Sequence, residues 1–246
     1  MKWRVIELSE NNAFLNMAID QAVSESIQNG APPTIRFYSW LPSAVSIGYF
    51  QSIEREVDLL RCKDLGVDVV RRRTGGGAVY HDHNGEITYS VIAPESVFPK
   101  DIILSYKEIC GWICDSLSLL GLTAEFKPIN DIIVNGKKIS GNAQTRRNGV
   151  LLQHGTILYT VDPEKMFSVL KVPDEKIKDK MIASVKERVT SISDHTKISK
   201  NEAYKAFVEG FTKGKTFEFG ELCESEINRA KELEVKYKEH SWNHMR

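Results

Sequence analysis

The sequence predicts an α+β fold in one domain, residues 1–246, and three observations carry that prediction. Segments with strand character alternate with helical stripes from the N-terminus to about residue 160. After Asp162-Pro163 the pattern turns helical and polar, so the segment from about 162 to 246 is expected to lie as helices on a mixed α+β body. No internal repeat, low-complexity tract or linker divides the 246 residues, a length one large domain accommodates.

Trp3 to Leu8 reads as a strand. Asn12 is placed to cap a helix with the apolar face Phe14, Leu15, Ala18, Ile19, Ala22, Val23 and Ile27, stopped at Asn29-Gly30. Thr34 to Trp40 and Ala44 to Ile47 read as two strands around a Pro42-Ser43 turn. Glu54 to Leu65 is expected to be a helix, and Val67 to Arg72 a strand feeding a run of glycines. Glu86 to Ala93 is β-rich. Ile102, Tyr106, Ile109, Cys110, Ile113, Leu117 and Leu120 form a helical stripe that ends at Gly121. Asp131 to Ala143 and Val150 to Thr160 are β-like. Asp162-Pro163 opens a short helix, Lys176 to Arg188 is densely charged, and Ser199 onward and Glu221 to Glu239 are helical.

Composition narrows the function. Hydrophobic residues make up 41% of the chain, enough for a sizeable core. The 33 Lys and Arg balance 33 Asp and Glu, so no global field draws the chain to nucleic acid or to an anionic membrane. Attraction for an anion must be local, and Arg71 to Arg73 are its evident source. Cys62, Cys110, Cys114 and Cys223 lack metal-ligand spacing and read as small buried hydrophobes of a reduced compartment. The start MKWRVIELSENN has no apolar signal core, and no apolar run is long enough to span a bilayer. The expected location is cytoplasmic.

Three stretches carry chemistry. RRRTGGGAVYHD sets Gly75, Gly76 and Gly77 beside the densest positive charge. Consecutive glycines let a ligand approach the main chain, and their N–H groups can cradle an anion; alternatively they form a bulge or wide turn flanked by solvated arginines. The run is neither a Walker loop nor a Rossmann fingerprint, since no Gly-Lys-Ser/Thr follows and a strand, not a helix, comes next. NDIIVNGKKISGNAQ has Asn135-Gly136 between β-like residues, a two-residue hairpin signal. The expected pairs are Val134 with Lys137, Ile133 with Lys138, Ile132 with Ile139 and Asp131 with Ser140. Asp131, Ile133, Lys138 and Ser140 then share the more polar face, with Lys138 diagonal to Asp131. Either Lys138 serves a site or both lysines are exposed hairpin charges. In VLLQHGTILY, His154 and Gly155 interrupt an apolar strand. Gly155 marks close approach of a ligand or of another backbone, and His154 is either a ligand contact or a hydrogen-bonded core histidine.

Taken together, RRRTGGGAVYHD, NDIIVNGKKISGNAQ and LQHGTIL resemble the lipoate–protein ligases of the biotin/lipoate ligase and transferase superfamily. RFYSWLPSAVSIGYFQ resembles the strand pair preceding the glycine motif there. VLKVPDEKIKDKMIASVKERVTSISD resembles a segment of archaeal-type members. The resemblance implies a class II aminoacyl-tRNA synthetase/biotin ligase-like core, a mixed and antiparallel sheet flanked by helices. It implies ATP-dependent conversion of lipoate to lipoyl-AMP, then transfer to a lysine of a lipoyl domain. Lys138 matches the essential lysine, and Arg72 an arginine near the ligand, expected to meet the phosphate. Gly75, Gly76 and Gly77 match the loop walling the acyl-adenylate, and Val79 and Tyr80 match residues that offer backbone to adenine. His81, Asn130, Asp131 and His154 match other ligand-lining positions, with Asp131 also a Mg²⁺ ligand. The implied partners are lipoyl domains of 2-oxoacid dehydrogenase E2 subunits or a glycine-cleavage H protein. The chain resembles the shorter members, which lack the C-terminal accessory domain and work with a small separate accessory subunit. An octanoyl or lipoyl transferase of the same fold would need a nucleophilic cysteine near the hairpin lysine, and none is there. A biotin ligase would interleave its glycines and arginines, and a non-catalytic lipoate-binding module would not need the lysine.

Overall fold

The computed structural model describes residues 1–172 and 174–246. Pro173, in the stretch VLKVPDEKIKDKMIASVKERVTSISD, lies outside them. In chain order the elements are β1 (Lys2–Asn11), α1 (Ala13–Gln28), β2 (Thr34–Trp40), β3 (Ala44–Ile47), α2 (Ile53–Glu56), α3 (Leu59–Asp64), β4 (Asp68–Arg71), β5 (Val79–His81), β6 (Glu86–Pro94) and α4 (Ile102–Leu119). They continue with β7 (Ala124–Lys127), β8 (Asp131–Val134), β9 (Lys137–Arg147), β10 (Val150–Leu158), α5 (Pro163–Val169), α6 (Glu175–Arg188), α7 (Lys200–Thr212), β11 (Thr216–Phe219), α8 (Glu224–Lys238) and α9 (His240–Asn243).

Eight strands form one mixed sheet in the order β11-β1-β2-β6-β10-β9-β8-β7, and β4-β3-β5 form a second. In the large sheet β1 runs parallel to both β2 and β11, while the pairs from β2 to β7 are antiparallel. Alternation along the strands gives the large sheet two apolar faces. One packs on α4 and α7, with Ile109, Ile113, Phe207 and Phe211 fully buried. The other packs on α1 and α8 through Met17, Val23, Leu233 and Tyr237. The expected α+β architecture and the helices on its flanks are therefore present.

Local chemistry explains the helix ends. The Asn12 side chain accepts from Leu15 N–H at 2.8 Å and starts α1. Ser199 and Glu202 make a reciprocal capping box at α7. The stripe on α4 is buried from Tyr106 to Leu117, but Ile102, in the first turn, is 59% exposed.

One expectation is corrected. Glu54 to Leu65 is not one helix. The buried Val57 is extended and bridges Leu170, Asp58 N–H donates to the Val169 carbonyl, and the Asp58 side chain then caps α3. Tertiary pairing with the end of α5 outweighs helix propensity there. The two strands read around Pro42-Ser43 are present at the expected bounds, and the turn sends β2 into the large sheet and β3 into the small one. A cleft between the two sheets is the result, and it holds the site.

Candidate active site

The Asn135-Gly136 turn positions Lys138. Both residues take positive φ, 50° and 78°, as a tight hairpin of the type I′ kind requires. Val134 pairs with Lys137 and Ile133 with Lys138, as expected. Then the register shifts: Ile132 pairs with Ser140 and Asp131 with Gly141. Ile139 and Ser140 are both 0% exposed, so the core takes two successive side chains through a β-bulge. Gly141, not Ser140, therefore lies across from Asp131 beside Lys138. The Lys138 ammonium extends over Gly141, where a methyl group would stand 2.8 Å from Nζ, and sits 2.6 Å from Asp131 Oδ1. The Lys138 side chain is 41% exposed, which leaves the amine within reach of a substrate. From behind, Thr190 N–H donates to the Lys138 carbonyl at 2.8 Å.

Lys138 lines a cavity of about 340 Å³ between the large and small sheets. Met17, Tyr38, Trp40 and Leu158 contribute apolar surface, and Met166, Val185 and Val189 close it from α5 and the end of α6. Of the positions singled out in the sequence, Arg72, Gly76, Gly77, Val79, Tyr80, His81, Asn130 and His154 line it with Lys138. Gly75 and Asp131 stand behind the wall, bound to Arg72 and Lys138 respectively.

Arg72 does not present a free guanidinium. Nε donates to Thr74 Oγ1, Nη1 to the Ser46 carbonyl and hydroxyl, and Nη2 to the Gly75 and Gly77 carbonyls at 2.7 and 2.8 Å. All five donors of the side chain are thereby used within the protein. Burial lowers its pKa to about 10, so it remains cationic at neutral pH. These bonds hold the glycine loop in shape while the side chain still lines the cavity. Arg71 is likewise internal and 0% exposed. It donates to the carbonyls of Gly48, Tyr49 and Gln51, and to those of Trp242 and Asn243 in α9. Of the three arginines only Arg73 is left half-buried. The loop at Gly48 lies tight against the glycine run: a Cβ there would stand 2.0 Å from the Gly76 carbonyl oxygen.

The histidines are wall residues with internal partners. His81 stacks on Trp40, ring centroids 4.0 Å apart, with Nδ1 2.7 Å from Glu86 Oε1 and Nε2 2.8 Å from Ser46 Oγ. His154 Nε2 is 2.7 Å from Thr74 Oγ1, while Nδ1 faces Asp20 Oδ2 at 3.5 Å, too long for a well-made bond. Burial lowers the His154 pKa, only partly opposed by Asp20. Burial raises the Asp20 carboxyl, but His154, Arg36 at 2.9 Å and Ser90 at 2.6 Å outweigh it, and the net shift is downward. Gly155 makes room for the Asn142 side chain, whose Oδ1 would stand 2.0 Å from an added Cβ. The close approach read from the sequence is therefore that of a side chain from β9.

Among the described residues no group of three or more His, Cys, Asp or Glu forms a metal cluster. Asp131 offers one carboxylate, already beside an ammonium. A Mg²⁺ ion there would need substrate phosphates to complete its shell, which is its usual way of binding. Among the described residues, no cysteine lines the cavity. Cys62 and Cys110 are buried, Cys114 is half-buried and Cys223 is exposed. Burial pushes the Cys62 and Cys114 thiols up to about 11 and that of Cys110 higher, away from the thiolate form that attacks carbonyls.

Sequence reasoning missed Asp20, Asn142 and the α6 contribution. Val185 and Val189, four apart in a charged segment, were the available signal for the last. Among the described residues, no helix is long and apolar enough to cross a membrane.

Residues 12–212 match the family model of the lipoyl protein ligase A/B catalytic domain. The octanoyltransferase LipM of Staphylococcus epidermidis is 36% identical, covering 98% of this chain and 97% of its own. Among solved structures, the bi-partite lipoate protein ligase of the Thermoplasma acidophilum lipoylation system superposes with a TM-score of 0.90 at 38% identity, over 99% of this chain and 96% of that one. A lipoate-protein ligase A bound with ATP gives 0.82 at 33% identity, over 99% and 98%. The family-model match over residues 12–212, with relatives aligned along nearly the whole length, places this chain in the lipoyl protein ligase A/B catalytic-domain family.

Proposed function

We propose that the protein is an ATP-dependent lipoate–protein ligase. It activates lipoate or octanoate as an acyl-adenylate and passes the acyl group to a lysine of an acceptor domain. The observation that carries this reading is a cavity holding a reachable lysine and no thiol. Transfer through an acyl-enzyme needs a nucleophile in the cavity, whereas adenylate chemistry needs a cation placed where charge develops. In the first step the carboxylate oxygen of the acid attacks the α-phosphorus of ATP and pyrophosphate leaves. The Lys138 ammonium offsets the charge building on the phosphoryl oxygens. In the second, the acceptor amine attacks the acyl carbon and AMP leaves, with Lys138 polarising the acyl oxygen. β5 is the edge of the small sheet, so backbone groups of Val79 and Tyr80 on its outer side are available to the adenine. The aliphatic tail is received by the apolar wall at Met17, Trp40 and Leu158. Asp131 would hold Mg²⁺ together with the phosphates, and the ion would supply charge neutralisation there. The acceptor is a lipoyl domain of an E2 subunit or an H protein, and a small accessory subunit assists adenylation, in line with the two-part organisation of the Thermoplasma relative. The cytoplasm is the proposed compartment.

Octanoyl transfer from a thioester, without ATP, is the second reading, favoured by the LipM relatives. Both are tested by following pyrophosphate release and acceptor acylation with lipoate or octanoate and ATP, and separately with an octanoyl thioester. The assays include a variant carrying Ser at Cys62, Cys110, Cys114 and Cys223. The ligase reading expects ATP-dependent acylation, with or without an added accessory subunit, that the cysteine-free variant retains. ATP-independent transfer abolished by one Cys→Ser change would replace it with the transferase.

A further inference from the structure

A line of polar side chains runs through the apolar layer beneath α4. Ser105 Oγ is 3.2 Å from Gln144 Oε1, Gln144 Nε2 donates to Gln153 Oε1 at 3.0 Å, and Gln153 Nε2 donates to the Tyr89 hydroxyl at 2.8 Å. Tyr89 O–H then donates to Asn142 Oδ1 at 2.7 Å. Ser105, Tyr89 and Gln153 are 0% exposed and Asn142 is 4% exposed. At its far end Asn142 grips Asn130. Its backbone N–H and its side-chain Nδ2 donate to the Asn130 carbonyl at 3.1 and 2.8 Å, and Asn130 Nδ2 returns a bond to the Asn142 carbonyl. Asn130 is followed directly by Asp131, the carboxylate beside the Lys138 ammonium.

Buried polar chains are costly unless complete, and this one is complete only because Gly155 leaves room for the amide. Four elements (α4, β6, β9 and β10) thus converge on one side chain that fixes the entry to β8. We propose that Asn142 is a positioning residue for Lys138. It holds Asn130, Asn130 sets Asp131, and Asp131 sets the ammonium. This inference rests on the acyl-activating role proposed for Lys138.

The test uses the full chain with Asn142→Ala and Tyr89→Phe, the latter removing one hydroxyl from the chain behind Asn142. Misplacing a catalytic group by about 1 Å costs on the order of 100-fold, so Asn142→Ala is expected to lower kcat for acyl-adenylate formation by about that factor while KM for acid and nucleotide stays near wild type. Tyr89→Phe gives a smaller loss of the same kind. An activity-independent readout accompanies it: competitive acetylation with acetic anhydride, scoring Lys138 against Lys137 by mass spectrometry. Loosening the tether raises the Lys138/Lys137 labelling ratio severalfold. A folded Asn142→Ala protein with wild-type kcat and an unchanged ratio overturns the proposal, as does a loss that only tracks the folded fraction. Should Asn142→Ala not fold, Tyr89→Phe decides by the same two measurements. If the wild type makes no adenylate, the proposed function falls, and the labelling ratio still decides the positioning role.

Discussion

Single side chains divide here into those that do chemistry and those that hold its frame. Lys138 is of the first kind under the proposed ligase reading. If Lys138 serves as proposed, replacing it by Ala removes the cation that offsets developing charge, and adenylate formation is expected to fall by about 100- to 1,000-fold. Thermal stability should barely change, because the side chain is 41% exposed and its ion pair with Asp131 is partly hydrated. Single-turnover release of pyrophosphate and a melting curve check both halves. Arg72 belongs to the second kind. Arg72→Ala would strip donors from the Ser46, Gly75 and Gly77 carbonyls. A destabilisation of roughly 3 kcal/mol follows from leaving such groups unpaired, read as a lowered urea midpoint. Hydrogen exchange should quicken at residues 74 to 77. The sequence made Arg72 a candidate through its neighbours in the chain. Its role was hidden because the partner that matters, Ser46, comes from a strand 26 residues away.

Elements show the same division between local and distant causes. The Asn-Gly turn was legible because two residues determine it, and so was the pairing of Lys138 with Ile133. The bulge that follows was not, since it exists to seat both Ile139 and Ser140 in a core built by other segments. The break at Val57 has a similar origin, in a bridge to Leu170. The glycine loop and the 48–51 loop act as one element. Gly48→Ala would drive a methyl to 2.0 Å from the Gly76 oxygen. Overpacking of this kind costs about 1–3 kcal/mol, a fall in Tm of roughly 2–12 °C for a chain this long. KM for the acid is expected to rise as well, because the displaced loop walls the cavity. A Tm and KM equal to wild type would show the contact to be slack.

For the molecule as a whole, the buried pair Asp20–His154 links stability to pH. Burial lowers the folded pKa of His154 below its unfolded value of about 6.5. The unfolded chain therefore takes up a proton below that pH which the fold does not. Stability falls as the pH drops through about 6.5, with a slope of up to about 1.4 kcal/mol per pH unit, until the folded pKa is reached. Asp20, lowered in the fold by His154, Arg36 and Ser90 against the upward push of burial, contributes above its unfolded pKa of about 3.9, and that contribution is lost as pH falls through its folded pKa. Urea midpoints between pH 7 and 5 are expected to decline in the wild type and to flatten in His154→Gln. The α+β class and the cluster of cavity residues were readable from one sequence. The inter-sheet cleft was not, because it depends on β2 and β3 parting company. Finally, Arg71 ties the segment before the glycine run to Trp242 and Asn243. The shape of the glycine run thereby depends on a helix 171 residues further along the chain, so loosening α9 would be felt at the cavity wall.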